Sequence, residues 1–182
     1  MRLFLVCVTG TFRVLYVFVV IEHGSRKLLH FNVTRNPSAH WTLQHLREAL
    51  GFNEQYRYLL HDRDSIFARS LDDSIKSLGL RVLKSPLHSP KANAICERVI
   101  GTIRRECLDG VIPLSVAHLR TFLREWVAHY NRGRPHMSLG PGIPDPPPAS
   151  AAIQQCNHRL NVVRIRVRPI LGGLHHDYAL SH

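Results

Sequence analysis

A mixed α/β fold with the element order βββαβαβαα is predicted by two features of the sequence. Three apolar segments with strand character follow one another near the start, separated only by short polar turns. Further along, segments with the 3.6-residue period of a helix alternate with two short strand-like runs. Such an alternation is typical of strands joined through helices that cover the faces of a sheet.

The first two strands are predicted at residues 3–8 and 14–21. Their combined apolar run is long enough to suggest a membrane span or a signal peptide, but Thr9, Gly10, Thr11 and Arg13 interrupt it. A buried strand pair therefore explains the run better, and residues 27–33 add a third strand to an antiparallel meander. Because strand-like sequence follows Met1 directly, we expect the domain to be truncated at its N-terminus.

The remaining elements follow from caps, breakers and periodicity. Asn36-Pro37-Ser38 ends the third strand and offers a cap to a helix that Gly51 stops. The other predicted elements are a strand at 56–61 that ends at Asp62, a helix at 65–78, a strand at 80–83, and helices at 92–107 and 115–131.

Three regions are predicted along the chain. Residues 1–131 form the core, residues 132–158 a proline-rich linker, and residues 159–182 a basic tail that resembles a β-hairpin. In the tail Arg164, Arg166 and Arg168 alternate with apolar residues, and Gly172-Gly173 provides a turn. The arginine face is a candidate DNA contact; the alternative is an edge strand kept charged against aggregation.

The charge of the chain favours a polyanionic partner. Its formal net charge is +11 and its pI is near 10.3, which favours nucleic acid over a membrane or a small-molecule substrate, although simple basic proteins of the ribosomal type share this charge. The four cysteines include no C-x-x-C pair, so a zinc site is not expected, and Cys96 and Cys107 on one helical stripe are predicted to be buried thiols.

Two carboxylates carry the predicted chemistry. Asp62 closes a strand and Glu97 lies on a basic amphipathic helix, beside its apolar stripe. If they converge, they can hold a divalent cation, and the positive chain around them points to a phosphodiester substrate. The alternatives are a solvated turn residue for Asp62, and for Glu97 an ion pair with Arg98, Arg104 or Arg105.

Three segments resemble one known family. HDRDSIF, SPKANAICERVIGTIRREC and HYNRGRPHMSLG are similar to the integrase catalytic core of DDE transposases and retroviral-type integrases, in particular the bacterial insertion-sequence type. The resemblance implies an RNase H-like mixed sheet flanked by helices, with Asp62 as the second catalytic Asp and Glu97, 34 residues further on, as the catalytic Glu.

The resemblance also implies an activity and partners. The activity is metal-dependent DNA cleavage and strand transfer with Mg²⁺ or Mn²⁺, as a homo-oligomer on mobile-element ends and target DNA. The implied location is the bacterial cytoplasm, associated with the nucleoid when bound to DNA. Candidate DNA contacts, besides the tail arginines, are Lys91, Asn93, Arg98, Arg104 and Arg105.

One part of the family's pattern is missing. Its first Asp belongs in the first strand, where Leu3 stands, and no Asp precedes Asp62. Glu22 and Glu48 are not evident substitutes. We therefore expect weakened metal binding and impaired catalysis, with a catalytically dead remnant that only binds DNA as the alternative. A ribonuclease H-type hydrolase would share the fold, but the second and third segments argue against it.

Overall fold

The predicted order of elements is confirmed by the fold. A computed structural model describes residues 4–51, 56–61, 69–84, 90–140, 142–146 and 164–181. Its elements in chain order are β1 (Phe4–Val8), β2 (Val14–Ile21), β3 (Leu28–Thr34), α1 (Ala39–Leu50), β4 (Tyr58–His61), α2 (Arg69–Ser77), β5 (Arg81–Lys84), α3 (Pro90–Ile103), a π-helical turn (Arg104–Leu108), α4 (Val116–Arg132), β6 (Arg164–Ile170) and β7 (His175–Ser181).

The N-terminal apolar run is the predicted strand pair. β1, β2 and β3 form an antiparallel meander with β2 in the centre. Both faces of β2 are covered: Val17 and Val19 belong to one buried cluster, whereas Phe18 and Val20 belong to another, because successive side chains of a strand point to opposite faces. None of the described helices has the length and apolarity needed to cross a membrane.

β4 and β5 form a separate parallel pair, with His61 opposite Lys84 at its end. Among the described residues no ladder joins this pair to the meander, so the predicted mixed sheet is present as two sheets. They share a buried cluster in which Leu59 of β4 packs with Phe4 and Phe18. Side-chain packing, rather than backbone pairing, therefore holds these strands together.

The helices begin where the sequence predicts caps. The Ser38 hydroxyl accepts a hydrogen bond from the Trp41 amide, and the Ser115 hydroxyl accepts one from the His118 amide. The helix predicted to reach Cys107 changes to a π turn at Arg104, whose carbonyl accepts from the Asp109 amide at 2.8 Å. The extra residue in this turn leaves Cys107 fully buried.

The segment after α4 is anchored to the core. In the predicted linker, the Asp145 amide donates to the carbonyl of Asn131, and the Asp145 carboxylate pairs with Lys27 at 2.7 Å. The predicted tail hairpin is confirmed for residues 164–181, and Ile170 and Leu171 at its turn are buried in the main cluster. The hairpin is thus packed on the core, with its arginine strand exposed.

Candidate active site and nucleic-acid interface

The carboxyl end of β4 is held by a buried network that the sequence analysis missed. His61 is fully buried, and its Nε2–H donates to Asp72 Oδ1 on α2 at 2.8 Å. Lys84, at the end of β5, contacts the other Asp72 oxygen at 2.5 Å. One carboxylate therefore joins α2 to both parallel strands. Asp62 follows His61 directly and lies outside the described residues.

The network also keeps Asp72 ionised. Burial by itself raises the pKa of this carboxyl, but the hydrogen bonds and charges of Lys84 and His61 more than offset that effect, and the pKa of Asp72 lies below its ordinary value. A charged acceptor strengthens both hydrogen bonds. The strand end that precedes Asp62 is consequently fixed by charge-assisted bonds.

Glu97 is presented on the surface of α3. It is exposed, and within the part of the chain that the structure describes it has no hydrogen bond or ion pair. The alternative of an ion pair with Arg98, Arg104 or Arg105 is therefore not observed. Its neighbour Cys96 is buried in the same cluster as Leu59 of β4, so α3 packs against the strand that leads to Asp62.

The predicted arginine contacts are exposed. Arg98, Arg104 and Arg105 on α3 and its π turn, and Arg164, Arg166 and Arg168 on β6, all face solvent. The guanidinium of Arg105 folds back over Gly101, with Nη1 3.2 Å from the position a Cβ would occupy. Lys91 and Asn93 lie in the first turns of α3, but their side chains are outside the described part.

The described residues fit a divalent metal site only in part. Glu97 offers a free oxygen ligand of the kind that Mg²⁺ prefers. β1 (FLVCV) carries no carboxylate, and Leu3 and Asp62 are outside the described residues. Glu22 accepts a hydrogen bond from the Ser25 hydroxyl, and Glu48 accepts one from His45.

His30, His45 and Glu48 form a second polar cluster, between β3 and α1, in which one ligand atom from each lies within 4.8 Å of the others. The Asn32 amide donates to His45 Nε2 at 2.9 Å, because its oxygen already accepts from the Val33 amide. The proton of His45 is therefore on Nδ1 and donates to Glu48 at 2.7 Å. Hydrogen bonds thus satisfy the ring nitrogens of His45, without a metal.

The YN-x-x-RPH segment, from Tyr130 to His136, fixes the end of α4 and the residues after it to the core. The Asn131 amide spans the backbone of Leu28, accepting from its N–H at 2.9 Å and donating to its carbonyl at 3.0 Å. Arg134 donates hydrogen bonds from Nε and Nη2 to the Glu106 carboxylate, with donor–acceptor distances of 2.7–3.1 Å. His136 packs edge-on against the buried Tyr130 ring. These contacts close the chain after α4 onto β3 and the π turn.

A family model matches the part of the chain that contains this segment. Residues 78–144 match the family model of the integrase core domain. The matched residues include Glu97 and the whole YN-x-x-RPH segment, whereas Asp62 lies before them.

An insertion-element protein of Xanthomonas euvesicatoria, the uncharacterized 39.2 kDa protein of IS476, is 27% identical over 140 residues. The aligned region is 76% of this chain but 40% of that protein. The chain thus spans less than half the length of the curated relative.

Solved structures of integrase and transposase catalytic domains share the fold of this chain. The catalytic core of bovine immunodeficiency virus (BIV) integrase is 15% identical, with a TM-score of 0.55 over 78% of this chain and 88% of that one. The catalytic domain of the Mos1 mariner transposase is 19% identical, with a TM-score of 0.53 over 69% and 66%. A chain of a simian T-cell lymphotropic virus intasome is 10% identical, with a TM-score of 0.60 over 98% and 64%. The RNase H-like fold predicted for the integrase core is confirmed.

Proposed function

We propose that this chain acts on DNA as the core of an insertion-sequence integrase, and that its cleavage and strand-transfer chemistry is impaired. The observation that carries the proposal is Glu97, which is exposed, has no bonding partner among the described residues, and lies on a helix that packs against β4. The match of residues 78–144 to the integrase core domain supports it. The relatives include an insertion-element protein and a transposase domain.

Each part of the chain has a role in this proposal. Asp62 and Glu97 hold a divalent cation, Mg²⁺ or Mn²⁺, which supplies a Lewis acid for attack on a phosphodiester. The hydrogen bond of His61 to Asp72 fixes the strand end that directly precedes Asp62 in the sequence. The exposed arginines of α3 and β6 contact DNA phosphates and hold the duplex in register.

The missing first carboxylate is the reason for impairment. Two-metal sites commonly share a bridging carboxylate, and its loss weakens both metal sites together. DNA binding by the arginines does not depend on that carboxylate. A remnant that binds DNA without cutting it is therefore the second candidate, favoured by the absence of an acidic residue in β1.

A restoration experiment separates the two candidates. Leu3→Asp supplies a carboxylate at the predicted position, and Leu3→Asn is a control of the same shape without the charge. Strand transfer of labelled element-end DNA would be measured with Mg²⁺ and with Mn²⁺. We expect Leu3→Asp to exceed both the native chain and Leu3→Asn by about tenfold or more, since perturbing even the outer groups of a metal site costs that much.

Glu97→Gln added to Leu3→Asp should abolish the gain while DNA binding persists. Salt-dependent DNA binding by the native chain, with no cleavage by any variant, would favour the remnant. Robust turnover by the native chain would contradict the proposed impairment. Absence of salt-dependent DNA binding would contradict both candidates.

A further inference from the structure

A cavity of about 260 Å³ beside α3 is lined by three arginines from three separate parts of the chain. Arg26 comes from the turn between β2 and β3, Arg98 from α3, and Arg134 from the segment after α4. His136 and Ser138 also line the cavity, and none of the described lining residues is acidic. This arginine pocket is therefore a concentration of positive charge that the fold assembles.

Two of the three arginines are held in place. Arg134 uses Nε and Nη2 to bind Glu106, which leaves Nη1 without a bond and neutralises one charge. Arg26 has a left-handed backbone, with φ 65°, and its Nη1 donates to the His23 carbonyl at 2.6 Å. Side chains already ordered lose less entropy when they bind a ligand.

Arg98 and one ring nitrogen of His136 have no bonding partner among the described residues. Arg98 is exposed and has no ion pair with any described residue. His136 Nε2 is buried and has no hydrogen-bond partner in the described part of the chain. Among the described lining groups, the Arg98 guanidinium is therefore available to a ligand that enters the pocket.

The charges around His136 make that ligand an anion. Burial lowers the pKa of His136 first, and the positive charges of Arg134 and Arg26 lower it further, against Glu106 and a backbone hydrogen bond that raise it. An anion in the pocket would offset the positive charges of Arg134 and Arg26 that lower the pKa of His136, and so would favour the protonated ring. Anion binding and protonation of His136 therefore support each other.

We propose that the arginine pocket binds a phosphate group through the guanidinium groups of Arg98 and Arg26, beside the imidazole of His136. Guanidinium groups present planar N–H pairs that match phosphate oxygens, and several converging on one cavity favour a compact, multiply charged ligand. The source of the phosphate is taken to be the DNA backbone, and in this respect the inference rests on the proposed function. Arg98 adjoins Glu97, so the pocket would hold the duplex next to the predicted catalytic residue.

The first test uses the whole chain and inorganic phosphate. The ring protons of His136 would be followed by NMR through a pH titration, with and without millimolar phosphate at constant ionic strength. We expect phosphate to raise the pKa of His136 in the native chain and in Arg47→Gln, a control that removes an exposed arginine of α1 that does not line the pocket. Arg98→Gln should reduce that response.

The second test measures DNA affinity by fluorescence anisotropy across a salt series. Loss of one phosphate contact should lower the slope of log K against log salt by about 0.9, so Arg98→Gln should bind DNA more weakly, whereas Arg47→Gln should match the native chain. Circular dichroism of both variants would show that they are folded, as expected for exposed positions.

The results separate the pocket from the proposed function. If phosphate does not change the pKa of His136, phosphate binding in the arginine pocket is overturned even if the chain binds DNA. Equal DNA affinities for Arg98→Gln and Arg47→Gln would overturn DNA as the source of the phosphate. A response of His136 to phosphate in a chain that binds no DNA would support the pocket and overturn the proposed function alone.

Discussion

Replacing Asp72 with alanine should destabilise the chain strongly, because that carboxylate is the acceptor for a fully buried imidazole. Its side chain is 7% exposed, and it bonds His61 at 2.8 Å and Lys84 at 2.5 Å. The substitution leaves the His61 N–H in the core without this acceptor, a loss of about 1–3 kcal/mol. Loss of the Lys84 pair adds about 0–1 kcal/mol, because that ammonium is 44% exposed and partly screened by solvent.

The expected total is about 1–4 kcal/mol in the free energy of unfolding. For a chain of this length each kcal/mol lowers Tm by about 2–4 °C, so Asp72→Ala should melt roughly 2–16 °C below the native chain. Urea and thermal unfolding followed by circular dichroism measure both quantities.

Asp73→Ala is the matched control. Asp73 lies one residue along the same helix and its replacement removes the same charge, but its side chain is 71% exposed and, among the described residues, pairs with the exposed Lys76. Its effect should stay within about 0.5 kcal/mol. If Asp72→Ala and Asp73→Ala unfold alike, the carboxylate does not hold the strand ends and the reasoning is refuted.

The difference in the free energy of unfolding between the native chain and Asp72→Ala should also depend on pH. The pKa of Asp72 is lower in the folded chain than its ordinary value of 3.8. A carboxyl with a depressed folded pKa contributes stability that is present above the unfolded pKa and is lost as the pH falls through the folded pKa. The advantage of the native chain over Asp72→Ala should thus be constant near neutral pH and shrink below about pH 4.

Three further outcomes are expected. Asn131→Ala strips both hydrogen bonds from the buried backbone of Leu28 and should lower the free energy of unfolding by about 2–4 kcal/mol in urea titrations. Burial raises the pKa of Cys107 to about 12, so its thiol should be alkylated far more slowly than the half-buried Cys7 in mass spectrometry at pH 8. Glu125→Ala removes the carboxylate that accepts from the amide at the tail turn at 2.7 Å, and should speed hydrogen exchange in β7.

Each of these outcomes has a result that contradicts it. Asn131→Asp keeps the acceptor for one of the two bonds, so it should lose less stability than Asn131→Ala; equal losses would argue against paired hydrogen bonds. Alkylation of Cys107 as fast as Cys7 would show that the core around the π turn opens readily. Unchanged exchange in β7 would show that the buried Ile170 and Leu171 suffice to hold the hairpin.

Local signals in the sequence determined the order of elements. Ser38 and Ser115 mark helix starts because a hydroxyl before a helix satisfies amide groups that lack partners. The continuous apolar run of β2 predicts burial on both faces, which the two clusters around it confirm. The motifs around Glu97 and Tyr130 carried the family resemblance, and they lie inside the matched residues 78–144.

Only the tertiary structure brought together residues that are distant in sequence. Asp72 lies beside the apolar stripe of α2 and has no local sign of burial; it is buried because two parallel strands end against it. The arginine pocket brings together Arg26, Arg98 and Arg134, which lie far apart in the sequence. Periodicity and caps report interactions within a few residues, whereas these groups meet through chain folding. For that reason the sequence indicated a site at Glu97, and packing decided which groups surround it.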